Sequence, residues 1–141
     1  MNLASRSVVL PTGSNNAITD VPGVRVDHAT EVSDEPAVLR TGVTMVVPRE
    51  DVWSDFVYAA WHNFSGNGEM TGLPWIEEAG LIGSPIGITN TFQVGLVRDF
   101  LVRRAVELGV SGAFHLPVVA ETWDGWLSEN EAFEVTEAHA R

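Results

Sequence analysis

Cysteine is absent from the sequence, which excludes a disulfide framework, a thiolate nucleophile and any cysteine-ligated metal site. Positive charge is scarce: lysine and arginine together number 8 against 19 aspartates and glutamates, for a formal net charge of -11. Such a field repels phosphate backbones and anionic lipid and favours cationic ligands such as amines, so neither nucleic acid nor a membrane is an expected partner. Long apolar runs are missing too. The early run Val8-Val9-Leu10 is too short for a signal-peptide core or a membrane span. A soluble protein is expected, and a cysteine-free chain suits the cytoplasm. The four histidines, His28, His62, His115 and His139, have no metal-ligand spacing, so no metal is expected. No serine stands in a G-x-S-x-G elbow, and none is paired with a base in sequence.

What is present is enough for a core. The 141 residues are 45% apolar, which fits one domain. Glycine and proline divide the chain into short strand-like segments with one clear helix, an α/β or α+β pattern. Residues 24–30 and 43–47 are rich in β-branched side chains and read as strands. In 56–64 both alternating sets are largely apolar, which predicts a strand covered on two faces. Residues 86–89 predict another strand, and 113–119 one more, with Pro117 arguing for an edge or bulge. From Thr91 onward, Val94, Val97, Leu101, Ala105 and Leu108 share one face, which predicts an amphipathic helix capped by Asn90 or Thr91 and closed by Gly109. A shorter helix is expected over 71–79, with Pro74 in its first turn and Gly80 after it. Near Arg141, Thr136 is a suitable helix cap, but one turn cannot repay nucleation, and a frayed polar tail is the alternative.

Two segments could carry chemistry. Ser65-Gly66-Asn67-Gly68-Glu69-Met70-Thr71-Gly72 is the densest glycine cluster. As a dinucleotide loop it would need a third glycine where Thr71 stands, and Glu69 would oppose a pyrophosphate, so a structural tight turn reads better. In Glu121-Thr122-Trp123-Asp124-Gly125-Trp126, an extended backbone points the Glu121 carboxylate and the Trp123 indole to one side. A carboxylate beside an aromatic wall can hold a substrate ammonium. The alternative is that Glu121 and Asp124 are solvated loop acids and the tryptophans belong to the core.

Several motifs together carry a resemblance. Asn16-Ala17-Ile18-Thr19-Asp20-Val21-Pro22-Gly23-Val24-Arg25-Val26, Arg40-Thr41-Gly42-Val43-Thr44, Gly66-Asn67-Gly68-Glu69-Met70-Thr71-Gly72 and Pro85-Ile86-Gly87-Ile88-Thr89-Asn90-Thr91 resemble, in order, the signature segments of the self-processing serine aminopeptidases, peptidase family S58. That family includes L-aminopeptidase D-amidase/esterase and the β-peptidyl aminopeptidases. Trp75-Ile76-Glu77-Glu78 and Val94-Gly95-Leu96-Val97-Arg98-Asp99 also fit, and the resemblance covers the chain from about Asn16 onward.

The resemblance implies an α+β fold, part of a four-layer αββα sandwich like that of the N-terminal-nucleophile hydrolases but differently connected. It implies a precursor that cleaves itself before a serine, which then attacks an amide or ester to form an acyl-enzyme. Family precursors are more than twice as long as this chain, so the expectation is an N-terminal fragment that forms a single partial domain. Its nucleophile and oxyanion-binding asparagine would lie beyond Arg141, so no catalytic residue is expected within the chain and the chain alone is expected to be inactive. The expected partners are a small peptide, amino-acid amide or ester, the remaining α- and β-subunit sequence, and further copies in a homo-oligomer. No cofactor is implied.

Carried over residue by residue, Glu121 matches the glutamate that holds the substrate's amino group, and Trp123 stands where the best-known member has tyrosine. Phe114 is expected to line the same pocket. Ser65 and Asp27 stand where asparagine and glycine are commoner. A catalytically inactive amine- or peptide-binding domain of the same fold is the alternative function, and a nucleotide-binding domain is a more distant one.

Overall fold

The computed structural model describes residues 11–112 and 114–141. The apolar run Val8-Val9-Leu10 and Ala113 lie outside them. The early motif folds on its own aspartate. Asp20 accepts from the Asn15 amide at 2.9 Å, the Ala17 amide at 3.0 Å and the Ser14 hydroxyl at 3.2 Å, and it closes the short 3-10 turn Ile18–Asp20. The Ala17 and Asn15 amides favour the ionised form and hold this exposed carboxyl below its ordinary pKa.

The chain then enters β1 (Arg25–Ser33), which returns antiparallel as β2 (Leu39–Val47). Both are longer than the β-branched runs suggest, because each supplies the other with ladder partners along its full length. After the two-residue β3 (Val57–Tyr58) come α1 (Leu73–Ala79), β4 (Leu81–Ile82) and β5 (Ile86–Asn90). The long helix α2 (Val94–Glu107) precedes β6 (Val118–Thr122). The main sheet runs β1-β2-β5-β6, with β2 antiparallel to β5 and β6 parallel to β5. A parallel neighbour needs a crossover, and α2 supplies it. The result is an α+β unit with one mixed sheet.

One face of that sheet takes α2. Val94, Val97, Phe100 and Leu101 bury against Val43 and Val119, joined by Val135 and Ala140 from the end of the chain. Gly87 makes the close approach possible, since a Cβ there would stand 2.8 Å from Val97 Cγ1. On the other face Ile76 of α1, Ile82 and Val118 form a second cluster with Ile86 and Val57 at its margin.

The helix boundaries follow local chemistry. Asn90 Oδ1 accepts from the amides of Phe92 and Gln93 at 3.0 and 3.1 Å, so Asn90 rather than Thr91 is the cap, acting on a 3-10 turn, Thr91–Gln93, that leads into α2. Gly109 and Gly80 follow the two helices at φ +67° and +65°. Leu108 falls past the last turn of α2 and stays half-exposed.

Three expectations need correction. The strand expected over 56–64 is two residues long, and Tyr58 and Phe64 are 96% and 95% exposed. Its partner β4 offers only Leu81 and Ile82, so the ladder ends; Val57 and Ala59 pack against the second cluster, while Phe56, Tyr58 and Phe64 stay exposed. The strand expected over 113–119 begins at Val118, directly after Pro117, and runs on to Thr122. A residue without an N–H is tolerated before the ladder but not within it. Near Arg141 there is neither an α-helix nor a frayed tail. Glu137–Ala140 forms a 3-10 turn in which the Thr136 amide donates to His139 Nδ1 at 3.0 Å, and Val135 and Ala140 are buried. Burial of those two side chains replaces the length that an isolated helix would need.

Candidate active site at the ends of β5 and β6

The parallel pair places Glu121 opposite Thr89 and Thr122 opposite Asn90. On its other side β6 meets the glycine-rich segment. The Glu121 amide donates to the Glu69 carbonyl at 3.1 Å, and the Thr71 amide donates to the Val119 carbonyl at 2.9 Å. The Thr71 hydroxyl donates to the Pro117 carbonyl at 2.8 Å and accepts from the Val119 amide at 2.9 Å. The glycine-rich segment is therefore a short antiparallel companion to β6, bridged at Met70 and Ala120, and its last residue, Gly72, precedes α1. It passes so close that a Cβ on Gly68 would stand 2.8 Å from Glu121 Oε1.

Glu121 Oε2 is buried and has no hydrogen-bond partner. Among the described residues the other buried, unpartnered side-chain atoms are Thr91 Oγ1, Asp124 Oδ1 and both amide atoms of Asn130. Thr91 directly follows β5, and Asp124 and Asn130 come after β6. The carboxyl ends of adjacent parallel strands are where open α/β sheets bind ligands. Buried polar groups left unpaired are costly and call for a partner. None of the ion pairs among the described residues involves Glu121 or Asp124.

Trp123, 58% exposed, directly follows β6 and meets Phe92 edge-to-face at 6.4 Å between ring centroids. Phe92 in turn stacks on Phe133 at 5.9 Å. The structure thus gathers Glu121 and Trp123 at one end of β6. It does not bring Phe114 to them. Phe114 precedes β6 and lines a cleft of about 230 Å³ with Trp53, Phe56, Trp75 and His115, to which neither Glu121 nor Trp123 contributes. Asp124 faces a separate cleft of about 220 Å³ on the sheet, with His28, Arg40, Thr89 and Thr122.

A mixed sheet with a crossover helix between its parallel strands defines an α+β domain. The chain belongs to Peptidase family S58, whose family model matches residues 16–141. It is 45% identical over 134 residues to the β-peptidyl aminopeptidase BapA of Sphingosinicella microcystinivorans, an alignment covering 91% of this chain and 34% of that protein. Among solved structures, a β-aminopeptidase of Burkholderia sp. superposes with a TM-score of 0.88 at 45% identity, covering 92% of this chain and 38% of the other. The L-aminopeptidase D-Ala-esterase/amidase of Ochrobactrum anthropi, described as a prototype for the serine aminopeptidases and a new variant among the Ntn hydrolase fold, gives 0.86 at 41% identity, with 93% and 39% covered. The chain spans about a third of the length of the curated relatives it matches.

Proposed function

We propose that this chain is the N-terminal part of a self-cleaving serine aminopeptidase, in which Glu121 grips the free ammonium of the substrate. The observation that carries the reading is the Glu121 carboxylate: one oxygen lies against Gly68, and the other is buried and unpaired. An ammonium brought to that oxygen supplies the missing donor as a charge-assisted hydrogen bond. Its neighbour Trp123 gives the ammonium an aromatic wall.

In this reading the remaining sequence provides the nucleophilic serine, freed as a new N-terminus by self-cleavage, and the donors that stabilise the oxyanion. The α-amine of that serine, with an unperturbed pKa of about 7.7–8.0, can take the hydroxyl proton near neutrality. An acyl-enzyme forms, the leaving amine or alcohol departs, and water releases the N-terminal residue. The substrates are peptides, amides or esters with a free amino end, in keeping with the β-peptidyl aminopeptidases to which the chain is similar. A homo-oligomer in the cytoplasm completes the proposal.

The test is expression of the complete gene product, followed by N-terminal sequencing of its fragments and assay on alanine and β-alanine p-nitroanilides. The proposal expects cleavage before a serine and turnover that requires that serine. A protein that stays intact and binds amines without hydrolysing them would instead be an inactive binding domain of the same fold.

A further inference from the structure

We infer that Asn67 is a site of spontaneous covalent modification, where attack by the Gly68 backbone nitrogen converts the side-chain amide to a succinimide and then to isoaspartate or aspartate. Asn67-Gly68 is the one Asn-Gly step in the sequence, and both residues are exposed. Among the described residues Asn67 is held only through its backbone, whose amide donates to Ser65 Oγ at 3.5 Å. Its side-chain amide and the Gly68 N–H have no partner there, so electrophile and nucleophile are both free and adjacent. Lacking a Cβ, Gly68 neither shields its nitrogen nor resists the backbone rotation that ring closure needs. The other described asparagines are placed differently. Asn90 and Asn130 are buried, and the Asn90 side chain is committed to the Phe92 and Gln93 amides and the Thr41 hydroxyl. Asn15, Asn16 and Asn63 precede Asn16, Ala17 and Phe64, each of which carries a side chain.

The chemistry needs only water. The Gly68 nitrogen gives its proton to solvent and bonds to Asn67 Cγ; the Cγ–Nδ2 bond breaks, and Nδ2 takes up a proton and leaves as ammonia. Water then opens the ring. Attack at Cγ leaves aspartate, whereas attack at the backbone carbonyl leaves isoaspartate, in which the chain runs through Cβ and Cγ and gains a methylene. Either product carries a negative charge that asparagine lacks. The location gives the reaction a consequence. Gly68 backs onto Glu121 so closely that a Cβ would stand 2.8 Å from Oε1, and the Glu69 carbonyl accepts from the Glu121 amide at 3.1 Å. A methylene inserted directly before Gly68 shifts both contacts, and the new charge sits one residue from the first. The loss of activity this entails, unlike the modification itself, rests on the reading of Glu121 as the ammonium-binding group.

The experiment incubates the complete, processed enzyme, wild type and Asn67→Gln, at mildly alkaline pH, which favours the deprotonated Gly68 nitrogen. Three readouts are followed: peptide mapping by mass spectrometry, methyl transfer by protein isoaspartate methyltransferase, and kcat/KM for the alanine and β-alanine p-nitroanilides. The inference expects Asn67 to convert well ahead of Asn63, Asn90 and Asn130, and wild type to become a methyl acceptor. Activity of wild type should fall in step with its isoaspartate fraction. Asn67→Gln, which would have to close a larger ring, should keep its mass and its starting activity through the same incubation. An Asn67 that survives as long as the other asparagines overturns the inference. Conversion without loss of activity overturns its consequence at Glu121. Fresh wild type that hydrolyses neither substrate overturns the aminopeptidase reading, and the peptide map then decides the modification by itself.

Discussion

Gly68 and Glu121, 53 positions apart, approach until a single carbon would not fit between them: a Cβ on Gly68 would stand 2.8 Å from Glu121 Oε1. The glycine-rich motif thus has a physical task. Its backbone pairs with the outer edge of β6, and its missing side chain leaves the carboxylate room.

The Gly68→Ala variant should therefore move the carboxylate without unfolding the protein, because the atom displaced is the end of a flexible side chain. In the complete enzyme we expect kcat/KM for free-amine substrates to fall about tenfold, which corresponds to about 1.4 kcal/mol. Combined with Glu121→Gln it should add little further, since both act through one group. Full additivity in that double-mutant cycle would show that Gly68 acts elsewhere.

At Gly87 the expectation is reversed. A Cβ there meets Val97 Cγ1 at 2.8 Å and Val119 Cγ2 at 3.3 Å, both held within the main core. Overpacking such a site costs about 1–3 kcal/mol, so Gly87→Ala should lower Tm while leaving the free-to-acetylated substrate preference of the folded fraction intact. Denaturant melts of the variant read this directly, and an unchanged midpoint would contradict it.

The Asp20 turn gives a pH dependence. Its folded pKa is lowered by the Ala17 and Asn15 amides, so its contribution is fully present above the ordinary carboxylate pKa of 3.8 and is lost as pH falls through the lowered value. An NMR titration should show the Asp20 carboxyl protonating below its ordinary range, with the Ala17 and Asn15 amide shifts following it. Asp20→Asn should abolish that transition. Titration at the ordinary value would mean the turn does not hold the carboxylate.

How much of this was legible in the sequence depends on the range over which each feature is encoded. Val94, Val97, Leu101 and Ala105 recur at helical spacing, and all four are buried in α2. Asn90, Gly80 and Gly109 carry their roles in short-range backbone chemistry and act as read. The segment 56–64 misled because its alternation is local, whereas a strand exists only as long as its partner does, and β4 is two residues long. Trp123 and Glu121 lie two positions apart at the exit of β6. The stack of Phe92 on Phe133 spans 41 positions, and nothing in local periodicity encodes it. Phe114 was expected beside Glu121, but the strand between them sends it to the cleft of Trp53 and Phe56.

The most direct test of Glu121 as the ammonium site uses processed enzyme, wild type and Glu121→Gln, assayed on matched substrates with free and acetylated amino groups. Glutamine keeps the shape and one acceptor oxygen but loses the charge. A charge-assisted hydrogen bond contributes about 1.5–3 kcal/mol, so kcat/KM for the free amine should fall about ten- to a hundredfold while the acetylated substrate shows no such loss. A ratio of free to acetylated kcat/KM that is the same in both enzymes would contradict the account.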